Sequence, residues 1–304
     1  MSFYLPIADI QINLILILFF GFIVGFMSGL FGVGGGFLMT PLLIFMGIPP
    51  ATAVGTESVQ ILGSSVSGAM AHGLKKNIDY EIGAFLLVGG IFGSTIGVIL
   101  FNFLKESGNI DLIIKFLYIL FLAVIGTLML IESTISIFKE KKTENKAIKR
   151  ERTFLDLLPL KLKFRNSKIY ISILLPIFVG IFVGLLSAFM GVGGGFVMVP
   201  AMIYIFRMGT VLAIGTSLFQ IVFVTLNVSI LHATFNYSVD LILAIFLLIG
   251  GVVGAQYGSK FTSKFKGEQI RVLLAMIVLV VCIKMGIELV NEPLNNSRII
   301  LQNV

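Results

Sequence analysis

The stretch Gly32-Val33-Gly34-Gly35-Gly36-Phe37 recurs letter for letter as Gly191-Val192-Gly193-Gly194-Gly195-Phe196, about 160 residues further on. Both copies follow an apolar run with glycine at every fourth place, Gly21, Gly25 and Gly29 in one, Gly180 and Gly184 in the other. Both are followed by a proline, Pro41 or Pro200. Downstream, Gly55-Thr56 matches Gly215-Thr216, Gln60 matches Gln220, His72 matches His232 and Asp79 matches Asp240. The chain therefore reads as one unit present twice, and any fold must respect that repeat.

A triple glycine weakens a helix by about 1 kcal/mol per residue and bares backbone groups that lipid cannot satisfy. Irregular backbone of this kind survives in a membrane only where protein or water covers it. Repeat-built transporters break helices at such points, which brings helix N-termini and free amides to the membrane midplane, where an anion can be held. The plainer reading is a glycine hinge that lets two helices pack closely.

Composition sets the class. With 57% hydrophobic and only 12% charged residues, arranged in many long apolar runs, the chain is expected to be an all-α polytopic membrane protein. The net charge of +7 is concentrated between Lys139 and Lys168, where eleven Lys or Arg face four acids. A basic stretch between spans follows the positive-inside rule, so nucleic acid is not an expected partner and this loop is expected in the cytoplasm. No Lys or Arg precedes the first apolar run, so a cleavable signal peptide is not expected. The single cysteine, Cys282, rules out an intrachain disulfide, and with two histidines it cannot make an ordinary structural zinc site. The glycine motif fails the G-x-G-x-x-G nucleotide pattern, since Phe37 stands where the last glycine belongs. No cofactor is expected, and no Ser-His-Asp set suggests an enzyme.

Ten apolar segments are expected, near 10–31, 35–48, 52–74, 80–104 and 110–138, and again near 169–190, 194–207, 210–233, 239–262 and 270–291. This divides the chain into a membrane repeat at 1–138, a basic loop at 139–168 and a second membrane repeat at 169–304. The second segment of each half is too short for a perpendicular span of about 20 residues. As a half-helix or the return arm of a re-entrant hairpin, it brings the chain back to its starting side before three full crossings. Two inverted repeats follow. With the 139–168 loop inside, Lys75, Lys76, Arg207, Lys260, Lys264, Lys266 and Arg271 also fall inside. Four crossings per half, with parallel repeats, would scatter these clusters. The fourfold spacing of Gly89, Gly93 and Gly97, and of Gly250, Gly254 and Gly258, draws small-residue stripes suited to close helix packing.

Several polar side chains interrupt the apolar runs. On the third segment Thr56, Glu57, Gln60, Ser64 and Ser67 project within roughly 90° of one another. On the eighth, Thr216, Gln220 and Asn227 project within roughly 40° and are the repeat partners of Thr56, Gln60 and Ser67. The expected site for a small anion therefore comprises Thr56, Gln60, Ser67, Thr216, Gln220 and Asn227 with the backbone of Gly34, Gly35, Gly36, Gly193, Gly194 and Gly195. The same side chains could instead bond helix to helix. Glu57, matched by Ser217, is read either as a proton-coupling carboxyl or as a helix-start carboxylate near the surface. His72 and His232 are read as gates at opposite mouths, or as structural helix-end histidines. Lys284 and Glu288 look like a helix-end pair.

The doubled G-x-G-G-G-F followed by proline, the A-x-G-T pattern at Ala53-Val54-Gly55-Thr56 and Ala213-Ile214-Gly215-Thr216, and the histidine closing the next helix together resemble the TauE/SafE sulfite exporter family, also called the toluene sulfonate uptake permeases. The resemblance covers about residues 15–290. It implies an inner-membrane permease of bacterial type, with inverted repeats and sulfite, thiosulfate or sulfonate anions as substrates. Its motif residues fall on Gly34, Gly35, Gly36 and Thr56 and on Gly193, Gly194, Gly195 and Thr216. An ion gradient, H+ among the candidates, would drive it, with membrane lipid as its surroundings. The other reading is a membrane-embedded sensor signalling through the basic loop.

Overall fold

A computed structural model describes residues 2–31, 36–138, 159–164, 166–167, 169–261 and 267–291. Among the described residues, ten helices carry the fold. In the first half these are α1 (Leu14–Phe31), α2 (Gly36–Phe45), α3 (Pro50–Leu74), α4 (Tyr80–Glu106) and α5 (Ile110–Phe138). The second half has α6 (Leu174–Met190), α7 (Gly195–Pro200), α8 (Thr210–Thr234), α9 (Leu241–Phe261) and α10 (Gly267–Asn291), with α7 running on as a π-helical stretch Ala201–Ile205. Helix existence and order match the ten expected segments. Five helices, α4, α5, α8, α9 and α10, contain stretches long and apolar enough to cross a bilayer. Helix α2 has ten residues, about 15 Å at 1.5 Å per residue, half the hydrocarbon thickness. Pro41 and Pro200 each remove the N–H that would bond the carbonyl four residues back, at Phe37 and Phe196.

The expected first and sixth segments begin too early. Residues 2–13 form an antiparallel hairpin, β1 (Ser2–Leu5) with β2 (Ile10–Asn13), Ser2 opposite Asn13. Residues 161–172 form another, β3 (Lys161–Phe164) with β4 (Ile169–Ser172), Lys161 opposite Ser172. Ile10-Gln11-Ile12-Asn13 and Ile169-Tyr170-Ile171-Ser172 both alternate with a period of two, which suits a half-buried strand and not a membrane helix. The basic loop therefore ends in a strand, while residues 139–158 lie outside the described residues.

Packing follows the repeat. Helix α1 packs on α9 and its repeat partner α6 packs on α4, so one contact is made twice. The glycine stripes make these contacts: a Cβ at Gly93 would lie 2.1 Å from the Ile181 carbonyl oxygen, and one at Gly25 would lie 2.2 Å from that of Gly251. Helices α3 and α8 pack on each other, as do α5 and α10. Gly55 near the start of α3 meets Ser238 just beyond α8, while Gly215 near the start of α8 meets Asn77 just beyond α3, so these repeat-related helices run antiparallel.

This arrangement gives the bundle two ends. One gathers the β1–β2 hairpin, Pro49, Lys105, Asp111 and Ser238 around an open cleft. The other gathers the β3–β4 hairpin, the turn at Lys75–Asp79 and the start of α8. Both ends are closed by the same device. Asp240 accepts from the Leu243 amide at the start of α9 (3.2 Å) and from Ile7 in the β1–β2 turn (3.3 Å). Asp79 accepts from Glu81 and Ile82 at the start of α4 (3.1 and 3.2 Å) and from the Ser167 amide in the β3–β4 turn (3.0 Å). Each aspartate thus caps a helix of its own half and pins the hairpin of the other.

Candidate functional site

The two glycine motifs meet between the halves. Phe37 and Phe196, repeat partners, stack with ring centroids 4.5 Å apart and planes 6° from parallel. Both are buried. In the second motif Gly191, Gly193 and Gly194 have φ of 67°, 69° and 75°, a left-handed run that breaks the chain between α6 and α7 and that residues with a Cβ rarely adopt. A Cβ at Gly193 would lie 2.8 Å from Ile221 and 2.9 Å from Ile61, which are repeat partners on α8 and α3. Gly36, opening α2, faces Ile61 and the Glu57 carboxyl. Gly195 opens α7 and is buried, while Gly34 and Gly35 lie outside the described residues.

The polar residues of α3 and α8 divide into two kinds. Thr56 and Thr216 are fully buried and tie the halves together: Asp240 N donates to Thr56 Oγ1 (3.0 Å) and Asp79 N donates to Thr216 Oγ1 (2.9 Å). These bonds lie at opposite ends of the bundle. Near the middle of each helix sits a glutamine set against a glycine of the neighbouring stripe. A Cβ at Gly251 would lie 2.7 Å from Gln60 Nε2, and one at Gly90 would lie 2.6 Å from Gln220 Nε2. The glycines leave room for the carboxamides. Gln220 is fully buried, yet neither its nitrogen nor its oxygen has a hydrogen-bond partner. A buried unsatisfied donor or acceptor costs about 1–3 kcal/mol, so this amide is a costly group for the chain to keep.

Other expected members sit elsewhere. Asn227 donates to Ser94 Oγ (2.9 Å) and Thr95 Oγ1 (3.0 Å) and so brackets α8 to α4. Ser67 is exposed, on a stretch of α3 shared with Val66 and Met70. Glu57 is fully buried with neither carboxyl oxygen bonded, which overturns the alternative of a carboxylate near the surface. Ser217, its repeat partner, donates to the Ile214 carbonyl (2.8 Å). The histidines differ. His232 is buried, with Nε2 3.0 Å from the Ala188 carbonyl oxygen and Nδ1 accepting from Asn236 (2.9 Å), and it meets the Phe101 ring edge-on at 4.6 Å. His72 is half-buried and its Nδ1 has no partner. Lys284 and Glu288 lie 4.0 Å apart and exposed, with the lysine also over the Phe45 ring.

The family model described as "Sulfite exporter TauE/SafE" matches residues 17–285, which takes in both motifs and all ten helices but for a few terminal residues. The chain belongs to the TauE/SafE sulfite exporter family. Among its relatives is the Bacillus subtilis protein named "Probable membrane transporter protein YjnA", 31% identical over 270 residues, covering 88% of this chain and 98% of that protein. A Xylella fastidiosa "Probable membrane transporter protein" is 32% identical over 242 residues, covering 76% and 78%. The Arabidopsis thaliana "Sulfite exporter TauE/SafE family protein 6" is 32% identical over 78 residues, covering 26% and 18%. No solved structure matches. This TauE/SafE chain is an integral, multi-pass membrane transporter. Sequence reasoning missed Tyr118 and Thr40, which converge on the Met190 carbonyl at the end of α6, and the capping role of Asp79 and Asp240. The aspartates had a signal, since they are repeat partners just ahead of a helix.

Proposed function

We propose that this transporter carries a small sulfur oxyanion or sulfonate, bound between its halves by the carboxamides of Gln220 and Gln60 beside the broken glycine motifs. The unpartnered, fully buried Gln220 amide carries this reading. Its N–H group suits a sulfur-bound oxygen, and the backbone at Gly193 and Gly194 adds polar groups that need no side chain. Thr56 and Thr216 then act on the anion indirectly, by keeping α3 and α8 in register with the opposite half.

The two repeats are inverted in the membrane. Support comes from the antiparallel course of α3 and α8 and from the basic residues: one bundle end carries Lys75, Lys76, Lys161 and Lys163 beside Asp79 and Glu81, the other Lys105 beside Asp9, Glu106, Asp111 and Asp240. The basic end faces the cytoplasm, and the membrane is the bacterial plasma membrane.

The test is uptake of labelled thiosulfate, sulfite and a small sulfonate into liposomes holding the purified chain. One of the three is expected to saturate and to be lost in Gln220→Met. Absence of protein-dependent flux for all three would reject the reading.

A further inference from the structure

The geometry points to a proton-binding site in the first half alone, made by the Glu57 carboxyl with the Tyr118 and Thr40 hydroxyls and seated on the last carbonyl of α6. Its use in coupling rests on the transporter reading above, while the site itself rests on the following contacts.

Helix α6 ends at Met190, so that carbonyl has lost its continuing helical donor. Two hydroxyls supply the want: Tyr118 on α5 donates to it, and Thr40 on α2 donates to it at 3.4 Å. All three residues are buried. Gly36 lies one turn before Thr40 on α2, and a Cβ there would sit 3.3 Å from Glu57 Oε1. The carboxyl thus stands one turn of α2 away from this hydroxyl pair, with both of its oxygens unbonded.

Lone pairs decide the ligand. The Met190 carbonyl accepts two hydrogen bonds and so has no lone pair left for a metal cation. The Tyr118 and Thr40 hydroxyls are turned to that carbonyl, and neither bonds the carboxyl. A carboxylate with no donor in reach is unsupported, whereas the protonated carboxyl carries no charge into this buried setting. A proton completes this site.

The surroundings agree. Tyr118 lies within electrostatic reach of Glu57. Lys115, one turn before it on α5, is buried and has a partner already. From α2 the carboxyl faces Gly36, and the α3–α8 contact next to it in sequence is the neutral pair Ser58 and Ser229, 2.9 Å apart. The second half does not repeat the set: Ser217 replaces Glu57 and Val199 replaces Thr40. Glu57 is fully buried, so proton exchange requires the bundle to open. The proton enters from one side and leaves to the other as the anion does.

Two measurements on the full chain in liposomes test this. Infrared difference spectra across the neutral pH range should show a protonated-carboxyl stretch that vanishes in Glu57→Gln and shifts in Tyr118→Phe and in Thr40→Val. Superimposable spectra for wild type and Glu57→Gln would overturn the site, and a band unmoved by both hydroxyl variants would overturn its composition. In flux assays with thiosulfate, the ratio of pH-driven accumulation to anion counterflow should fall about tenfold in Glu57→Gln. An unchanged ratio would overturn the coupling role. A wild-type chain that shows the titrating band but moves no anion would instead sink the transporter reading and leave the proton site standing.

Discussion

Replacing Gln220 by methionine should make the protein more stable and less active at once. The amide nitrogen and oxygen are buried without partners, and each such group costs about 1–3 kcal/mol. Methionine keeps the length of the side chain and fits the space left by Gly90, and a volume-conserving swap of this kind costs less than about 1.5 kcal/mol. Two groups relieved at the low end of their range yield about 2 kcal/mol, so the net gain is about 1 kcal/mol. At about 2.1 cal/mol/K of unfolding entropy per residue, that raises the melting midpoint of a chain this long by about 1–2 °C. The midpoint is read in detergent without substrate, and flux is read in liposomes with the anion that wild type carries. Transport should drop at least about tenfold, which corresponds to one lost hydrogen bond of about 1.4 kcal/mol in the bound state. A lower midpoint would mean that the amide has a structural partner. A higher midpoint with unchanged flux would falsify the assignment of Gln220 to the anion.

Thr56→Val and Thr216→Val each leave a buried backbone N–H, of Asp240 or Asp79, without its acceptor and should each destabilise by about 1–3 kcal/mol. The bonds lie at opposite ends, so the double variant should show the sum of the two losses, and a strongly non-additive result would contradict independent ties. Gly93→Ala places a Cβ against the Ile181 carbonyl and should cost about 1–3 kcal/mol, whereas Gly286→Ala on α10, with open space around it, should gain about 0.5–1 kcal/mol. Equal effects at the two glycines would remove the packing argument. In a Cys282→Ser background, Lys76→Cys and Tyr237→Cys occupy repeat-equivalent exposed turns and should react with an impermeant reagent from opposite faces. Labelling from one face would rule out inverted repeats.

Helix order was legible because hydropathy and glycine spacing are both periodic, and the repeat supplied each boundary twice. The hairpins escaped because an alternating stretch such as Ile169-Tyr170-Ile171-Ser172 is apolar enough to merge with the helix it precedes. The polar stripe on α3 was half legible. A helical projection aligns Gln60 with Ser67, yet only Gln60 is buried, because Ser67 lies on a stretch of α3 exposed together with Val66 and Met70. Tyr118 and Thr40 gave no periodic signal. Each is a lone polar residue in an apolar run, and only the break after Met190, brought near them by the fold, gives their hydroxyls a purpose.

What the two halves share and where they part bears on direction. If the halves exchange places by rotation about an axis in the membrane plane, opening one end breaks the contacts that opening the other end would break in mirror order: Thr56 with Asp240 and its hairpin, or Thr216 with Asp79 and its hairpin. Such a scaffold is indifferent between its two open forms. A bias must come from residues that the repeat does not match, and a ligand shifts the balance only through those it meets differently. Glu57, Tyr118 and Thr40 are unmatched in chemistry, while His72 and His232 are matched in sequence and unmatched in bonding, since His232 has both nitrogens engaged and His72 leaves one bare. Exchange of Glu57 and Ser217, as the pair Glu57→Ser and Ser217→Glu, should therefore not restore directed transport, because the second half carries Val199 where Thr40 stands in the first. Directed flux in that exchanged chain would show that a buried carboxyl alone sets the coupling and that its hydroxyl partners do not.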